Sequence, residues 1–306
     1  MRPVTVPPVG FVGMGEVVRV FGRGMRRHHP DRELLSYGCG HHRPPYDPEY
    51  RAQAAAAGFD LVSSLRELCR RADTIVSAVV ADRAVAIGLD IADAIRAGTL
   101  VVDVNASSPE DKRVVARSIE AAGGRYVDAS IMGSVPTLGL SVPMFCSGSG
   151  ARELGGRDLG FTDVTVVSER AGDAALVKYL RSVIMKGLES VLVEALVPAE
   201  ANGVYDLVLE SVLQTIREDG GPVMINALIC SESLHAARRA EEMRKVASVL
   251  EGEGLPTDMT RATIGHLARV APLPLDRSRH ARDWDAHGVI RDLLAQLSPA
   301  SVAQTT

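Results

Sequence analysis

The pattern of apolar and polar positions changes once along the chain, near residue 170. Before that point, short apolar runs alternate with amphipathic stretches, and several runs are apolar on both faces, as expected of strands buried between helices. The pattern predicts strands at 9–13, 33–38, 74–80, 99–105, 125–132, 143–148 and 163–169. It predicts helices at 14–27, 48–57, 64–71, 82–96 and 109–122.

Beyond Gly172 the pattern is helical throughout. Residues 173–202 hold no Gly or Pro except Gly187 and Pro198, which predicts one long helix. More helices are predicted at 204–218, 222–232, 235–253, 257–270 and 283–296. Because strands alternate with helices only in the first part, we predict an α/β fold. It has a Rossmann-type, doubly wound, largely parallel sheet in residues 1–169, followed by an all-α C-terminal domain in residues 170–306.

Composition places the chain among ordinary soluble globular proteins. It has 306 residues, of which 46% are hydrophobic, and a net charge of −4. No basic excess indicates a nucleic-acid partner, and no apolar run approaches the ~18 residues of a membrane span. We find no secretory signal pattern, and the four cysteines form no C-x-x-C pair. We therefore expect a cytoplasmic protein with reduced thiols whose partner is a small molecule.

The first strand runs directly into a glycine-rich turn, "VGFVGMGEVVRVFG" at residues 9–22. A strand, Gly13-x-Gly15 and a helix form the context of a dinucleotide-binding turn, in which Gly15 lets the pyrophosphate approach the backbone. Val18 replaces the third glycine of the usual pattern, and we expect it to alter helix packing rather than phosphate contact. A plain strand–helix turn is the alternative. The expected cofactor-binding residues of this turn are Gly13, Met14, Gly15, Glu16 and Val17.

The end of the second strand indicates which dinucleotide binds. An Asp or Glu there holds the ribose 2′-hydroxyl of NAD, but no carboxylate occurs between Leu34 and Pro45. His41, His42 and Arg43 are present instead, and such side chains suit a 2′-phosphate. We therefore expect NADP(H) in preference to NAD(H), with a solvated basic loop as the alternative. The residues expected near the nicotinamide end the next two strands, with ordinary packing equally consistent: Val79, Val80 and Asn105.

Four segments, the first of which is part of the glycine-rich turn, carry a family resemblance: "GFVGMGEV" (10–17), "VVDVNASSP" (101–109), "YVDASIMGSVP" (126–136) and "GDAALVK" (172–178). Together they resemble the β-hydroxyacid dehydrogenase superfamily, the group of 3-hydroxyisobutyrate and 6-phosphogluconate dehydrogenases, over nearly the whole chain. The resemblance implies a dinucleotide-binding domain, a substrate segment at 126–136 and an acid/base lysine, Lys178, on the long helix. It also implies a homodimer formed through the C-terminal domain.

The departures from the family pattern concern the substrate. Ser130 replaces a Pro, Met132 replaces a Ser and Ser134 replaces the second Gly of the substrate segment, whereas Gly133 is kept. Ser182 stands where the family usually has an Asn. We expect the backbone of Gly133 and the serine hydroxyls to hold a substrate carboxylate or a similar group, with ordinary strand-end packing as the alternative. Met132 makes the pocket less polar and favours a substrate bulkier or less acidic than a simple 3-hydroxy acid.

Four polar side chains, Lys178, Ser182, Lys186 and Glu189, lie on one narrow stripe of the long helix. Most other positions are apolar, so we expect a buried helix whose stripe faces a cleft, a partner charge or a subunit boundary. Hydride transfer needs a matching proton transfer, and a desolvated lysine has a lowered pKa suited to that step. We therefore follow the resemblance for Lys178 and give Ser182 a hydrogen bond to the substrate oxygen. Lys186 either neutralises a substrate anion or pairs with Glu189.

Three functions remain open from the sequence. The leading interpretation is an NADP(H)-dependent oxidoreductase acting on a small hydroxy or carbonyl substrate. An imine reductase, which also resembles this superfamily, would reduce C=N with a proton donor that need not be Lys178. The third is a non-catalytic NADP-binding protein. We expect no metal, because hydride transfer to nicotinamide needs none, and we expect a homodimer because the apolar long helix is too exposed in a monomer.

Overall fold

The computed structural model describes residues 6–275 and 285–297 and forms two compact units, Met1–Val183 and Ile184–Thr306. The first unit is built on one eight-stranded sheet. Its strands are β1 (Val9–Val12), β2 (Leu34–Tyr37), β3 (Asp60–Leu61), β4 (Thr74–Ser77), β5 (Leu100–Asp103), β6 (Arg125–Ile131), β7 (Met144–Ser147) and β8 (Val164–Ser168). Its helices are α1 (Glu16–His28), α2 (Pro48–Ala56), α3 (Leu65–Arg71), α4 (Ala84–Ala92), α5 (Pro109–Ala121) and the short α6 (Val135–Leu138).

The strand order is β3-β2-β1-β4-β5-β6-β7-β8, and only the β6–β7 pair is antiparallel. The prediction of a doubly wound, largely parallel sheet is therefore confirmed. Neighbouring side chains of β1 point to opposite faces, so Phe11 joins one apolar cluster and Val12 joins the other. The sheet is thus covered by apolar packing on both faces, which explains why its strands read as nearly continuous apolar runs.

The sequence prediction missed β3, a strand of two residues that pairs with β2 through Leu35 and Ser36. Two residues carry too little periodicity to be recognised. The helix predicted at 82–96 is shorter: a 3₁₀ turn at Ala81–Arg83 precedes α4. The other strands and helices of this unit lie within a few residues of their predicted positions.

The long helix α7 (Asp173–Ala201) leads into α8 (Tyr205–Asp219), α9 (Gly221–Gly252), α10 (Asp258–Val270) and α11 (Ala286–Leu297). An apolar cluster around Ala236, Ala240 and Leu267 joins α9 to α10. The prediction of two helices at 222–232 and 235–253 was wrong, because α9 is continuous. The helix runs through the predicted gap at 233–234, and the Ser233 hydroxyl donates to the carbonyl of Cys230 one turn earlier.

The expectation that α7 is buried does not hold within a single chain. Leu180 is 60% exposed, Val183 is 72% exposed and Ile184 is 69% exposed. These side chains lie on faces of the helix that a single chain leaves open to solvent. Across residues 6–275 and 285–297, no helix is both long and apolar enough to cross a membrane.

Candidate active site

The turn between β1 and α1 has the shape that a pyrophosphate requires. Gly13 has a left-handed backbone (φ +97°), and a Cβ there would lie 2.4 Å from the carbonyl oxygen of Ala78. Gly15 caps α1 with no side-chain hydrogen bond, and a Cβ on it would meet nothing within 4 Å. Open space therefore lies above the first turn of α1, whose backbone N–H groups favour an anion. The residues present fit a dinucleotide.

The other residues of this turn contribute differently. The side chain of Met14 is buried in the core, so only its backbone faces the turn, whereas Glu16 is exposed. Val17 is partly buried and packs against the same core cluster. Val18 is fully buried in that cluster. The missing third glycine thus changes the packing of α1 against the sheet and leaves the space above Gly15 open.

The two glycines of this turn are expected to respond differently to alanine. Gly13→Ala should destabilise the fold by about 1–3 kcal/mol through its left-handed backbone alone, with the contact to Ala78 adding to that cost. Gly15→Ala should keep the free energy of unfolding within about 1 kcal/mol, yet weaken dinucleotide binding by filling the space above α1. Chemical denaturation and fluorescence titration measure the two effects. Unchanged dinucleotide affinity in Gly15→Ala would contradict this role of the turn.

The loop after β2 places Arg43, one of the cationic side chains predicted there, at a cavity. Arg43 is exposed and lines a cavity of about 280 Å³ together with Cys39, Tyr37 and Arg66. The ring of His42 stacks on Tyr50, with centroids 4.7 Å apart and an angle of 14°. The side chain of His41 lies outside the described part of the structure. Sequence reasoning missed Arg66, because it comes from α3 and no local pattern links it to the β2 loop.

Asn105 connects the carboxyl ends of β4 and β5. Its side-chain oxygen accepts a hydrogen bond of 2.6 Å from the N–H of Val79, and its amide nitrogen donates to Ser77 Oγ at 3.0 Å. These bonds give Asn105 a structural role at the carboxyl ends of these two strands. Val80 is 67% exposed near these ends and is available to a ligand.

A row of polar side chains crosses the sheet, one from each of five neighbouring strands. Register pairs Ser77 with Asp103, Asp103 with Asp128, Asp128 with Ser147, and Ser147 with Ser168. Paired residues of neighbouring strands point to the same face of the sheet, so these five side chains lie side by side across it. We call this set the polar row. Sequence reasoning did not identify it, although each predicted strand contains the Ser or Asp concerned.

A buried lysine compensates the two carboxylates of the polar row. Lys112 on α5 is 1% exposed, and its Nζ lies 2.9 Å from Asp103 Oδ1 and 3.7 Å from Asp128 Oδ1. The Tyr126 hydroxyl donates to Asp103 Oδ2 at 2.6 Å. Burial raises the pKa of Asp128, and the Lys112 ammonium is the leading opposing effect. A charged cluster this deep is stable only because each charge has a partner.

The polar row supports the first turn of α7. Gly172 has a left-handed backbone (φ +91°), and a Cβ there would lie 2.6 Å from the Pro109 carbonyl oxygen. The N–H of Ala174 donates to Ser147 Oγ at 3.0 Å, and the N–H of Ala175 donates to Asp128 Oδ2 at 2.9 Å. Glycine at 172 therefore permits the close approach of the chain before α7 to the first residue of α5.

Lys178 lies on α7 one turn beyond these contacts and is partly buried. Burial lowers the pKa of Lys178, the Lys112 ammonium lowers it further, and Asp128 opposes both. The Ser182 hydroxyl donates to the Lys178 carbonyl at 2.8 Å. Lys186 is exposed, and its Nζ lies 3.2 Å from Glu189 Oε2. Of the two lysines on the predicted stripe, Lys178 has the desolvated amine. The amine of Lys186 is instead paired with Glu189, which is one of the two roles considered for it.

The predicted substrate segment divides between the interior and the surface. Ser130 is buried, and its hydroxyl donates to Asp128 Oδ1 at 3.5 Å. The N–H of Met132 donates to the Pro143 carbonyl at 2.8 Å. Gly133 and Ser134 are exposed after the end of β6. Because β1, β4, β5 and β6 run parallel, this end lies on the same edge of the sheet as the glycine turn.

Two separate parts of the chain match known protein families. Residues 8–149 match the NAD binding domain of 6-phosphogluconate dehydrogenase, and residues 199–270 match a domain of unknown function, DUF1932. A conserved protein of unknown function, whose structure was described as similar to 3-hydroxyacid dehydrogenases, is 28% identical. Its TM-score is 0.58, and the match covers 89% of this chain and 98% of the other.

Two enzymes share the fold at lower identity. The imine reductase of Streptomyces aurantiacus is 18% identical with a TM-score of 0.70, over 94% of this chain and 99% of the enzyme. A reductive aminase from Aspergillus terreus, solved with NADPH and ethyl-5-oxohexanoate, is 15% identical with a TM-score of 0.70, over 94% and 100%. The predicted resemblance is confirmed: residues 8–149 resemble the NAD binding domain of 6-phosphogluconate dehydrogenase, and residues 199–270, which are mostly helical, match DUF1932.

Proposed function

We propose that the protein is an NADP(H)-dependent oxidoreductase that interconverts a small hydroxy compound and its carbonyl form, with Lys178 as the general acid/base. The observation that carries the proposal is the desolvated amine of Lys178 on a helix whose first turn is held to the sheet by Asp128 and Ser147. An amine with a lowered pKa exchanges protons closer to neutral pH than an ordinary lysine does.

In the reductive direction, bound NADPH supplies a hydride to the carbonyl carbon. The Lys178 ammonium donates a proton to the carbonyl oxygen, so the product is the alcohol and Lys178 is left neutral. In the oxidative direction the neutral amine accepts the alcohol proton. Ser182, whose own proton is engaged by the Lys178 carbonyl, offers its oxygen as an acceptor to a substrate hydroxyl. Gly133 and Ser134 bind the acidic or polar end of the substrate.

The dinucleotide is held by two regions in this proposal. The backbone at Gly15, at the start of α1, would hold the pyrophosphate, and the exposed Arg43 of the β2 loop would hold the 2′-phosphate. Arg66 lines the same cavity as Arg43 and adds positive charge, while Asp90 and Asp93, which also line it, disfavour an anion there. The Aspergillus reductive aminase, which was solved with NADPH, shares the fold of this chain and in that respect supports NADPH as the cofactor.

Cofactor preference is expected to depend on Arg43. Arg43→Ala should weaken NADPH binding about tenfold or more and leave NADH binding nearly unchanged, because it removes a charge-assisted hydrogen bond to the 2′-phosphate only. Fluorescence titration with both cofactors measures this effect. Arg70→Ala, an exposed arginine of α3 outside the β2 loop, is the matched control. Tighter binding of NADH than of NADPH by the unmodified protein would overturn the preference.

Product assays with panels of carbonyl compounds and cyclic imines test the reaction itself. The proposal requires NADPH-dependent formation of an alcohol from at least one carbonyl compound. Turnover of imines alone would replace it with imine reduction, the activity named for the Streptomyces neighbour. Tight NADPH binding without turnover on either panel would leave a cofactor-binding protein.

We further propose a homodimer formed through the helical unit. Large apolar side chains are exposed there, among them Ile184 at 69%, Val193 at 63% and Leu207 at 73%. Exposed apolar surface of this extent is typical of an interface. Light scattering is expected to give the mass of two chains, and a monomeric mass at micromolar concentration would contradict this expectation.

A further inference from the structure

Lysine is rare in this chain, and half of its lysines belong to one cluster. Among 34 lysines and arginines, the lysines are Lys112, Lys178, Lys186 and Lys245, and all others are arginines. Two of the four, Lys112 and Lys178, interact electrostatically at the start of α7. A guanidinium keeps its proton in proteins, whereas the charge of an ammonium responds to burial and to neighbouring charges. The charge of Lys178 is therefore open to control by its surroundings, which an arginine at this position would not allow.

We propose that Asp128 is a positioning residue, which seats the first turn of α7 and, together with the buried Lys112, sets the charge environment of the Lys178 amine. This inference rests on the proposed role of Lys178 as the acid/base. It assigns a role to Asp128 and Lys112 that does not require either of them to touch substrate or cofactor.

The seating role follows from the contacts of Asp128 Oδ2. This oxygen accepts the N–H of Ala175 at 2.9 Å and the hydroxyl of Ser147 at 3.2 Å. Ser147 in turn accepts the N–H of Ala174 at 3.0 Å. The next residue of the polar row, Ser168, donates to Asp173 Oδ2 at 2.7 Å. Three adjacent members of the polar row thus hold the residues that begin α7, and Lys178 follows within one turn of Ala175.

The electrostatic role follows from the charges that face Lys178. Lys112 from α5 disfavours the protonated amine, and Asp128 from β6 favours it. Asp128 itself is surrounded by Lys112, by the Asp103 carboxylate from β5, and by the side chains of Tyr126 and Cys146. Lys112 is shared between two carboxylates, of which Asp128 alone contacts α7 in the bonds described above. Loss of the Asp128 charge therefore leaves Lys178 facing a less compensated cation.

The proposal predicts a displaced titration of Lys178 when Asp128 becomes neutral. Asp128→Asn keeps the size and an oxygen that accepts the Ala175 N–H, but it removes the charge. The Lys178 midpoint should fall by about 1 pH unit, because an opposite charge nearby favours the ammonium. With isotope-labelled lysine, NMR resolves the ε-carbons of four lysines, and Lys→Arg variants assign them. This titration needs neither substrate nor turnover. Its result therefore tests the role of Asp128 independently of the assays that test the proposed function.

Ser147→Ala is the matched control, because it removes a contact at the helix start without changing a charge. Its Lys178 midpoint should stay within about 0.3 unit of the original, and Asp128→Glu should restore a midpoint close to the original. The ε-carbon signals of Lys186 and Lys245 serve as internal references in every variant. If Asp128→Asn does not fold, Asp103→Asn takes its place and is expected to move the midpoint in the same direction. An unmoved Lys178 midpoint in the folded charge-removing variant would overturn the proposal.

Discussion

Lys178→Ala is expected to lower kcat for carbonyl reduction by at least about 100-fold while leaving NADPH affinity unchanged. The amine supplies the proton that the reduced oxygen needs, and its loss forces that proton to come from water. The residues assigned to the cofactor belong to the turn between β1 and α1, to the start of α1, to the β2 loop and to the ends of β4 and β5, so they are untouched by the change. Steady-state kinetics and a fluorescence titration on the same preparation measure the two quantities.

Lys186→Ala is the control for this prediction, because it removes a lysine from the same stripe of α7. Its amine is paired with Glu189 on the surface, so its loss should leave kcat within about twofold. Turnover near the original level in Lys178→Ala would rule out the acid/base role. An equally large loss of kcat in both variants would show that a disturbed α7 lowers kcat, and not the loss of the Lys178 amine.

Lys112→Met is expected to lower the free energy of unfolding by about 3–5 kcal/mol, the largest stability effect that we expect from one substitution. Methionine fills much of the same volume, but it leaves the carboxylates of Asp103 and Asp128 buried without their cation. Those carboxylates then take up protons or draw in water, and either response favours the unfolded chain. Urea denaturation followed by circular dichroism measures the change.

Arg113→Met provides a neighbouring comparison. Arg113 is the next residue of α5 and pairs with Glu110 at 2.8 Å, but it lies at the surface, where ion pairs contribute little. Its replacement should leave stability nearly unchanged. If the two variants unfold at the same urea concentration, the buried cluster does not contribute the stability that its geometry implies.

Sequence patterns were sufficient for most of the first unit because strands such as β1, β4 and β5 are buried on both faces. Apolar runs such as 74–80 are hard to mistake when turns and amphipathic helices separate them. The patterns failed in two specific places. A gap was predicted at 233–234, but α9 continues through it and the Ser233 hydroxyl donates back along the helix. The strand β3 has two residues and follows no period.

The candidate site was only partly visible in the sequence, because its main electrostatic partners come from separate elements. Lys112 lies in "PEDKRVV", where its neighbours are charged and a solvated helix face is the natural expectation. Only the register of β5 with β6 shows that Asp103 and Asp128 share one face, and only packing shows that Lys112 reaches both. The helical stripe was visible from periodicity, but periodicity does not distinguish the desolvated Lys178 from the exposed Lys186.

The pH dependence of a single turnover tests the central claim most directly. NADPH-bound protein is mixed with the best carbonyl substrate, and hydride transfer is followed across pH in the original protein and in Lys178→Ala. Only the protonated amine donates, so the rate should fall as pH rises through the lowered pKa of Lys178. The account predicts that this basic limb is present in the original protein and absent in Lys178→Ala. A basic limb at the same pH in both proteins would contradict it.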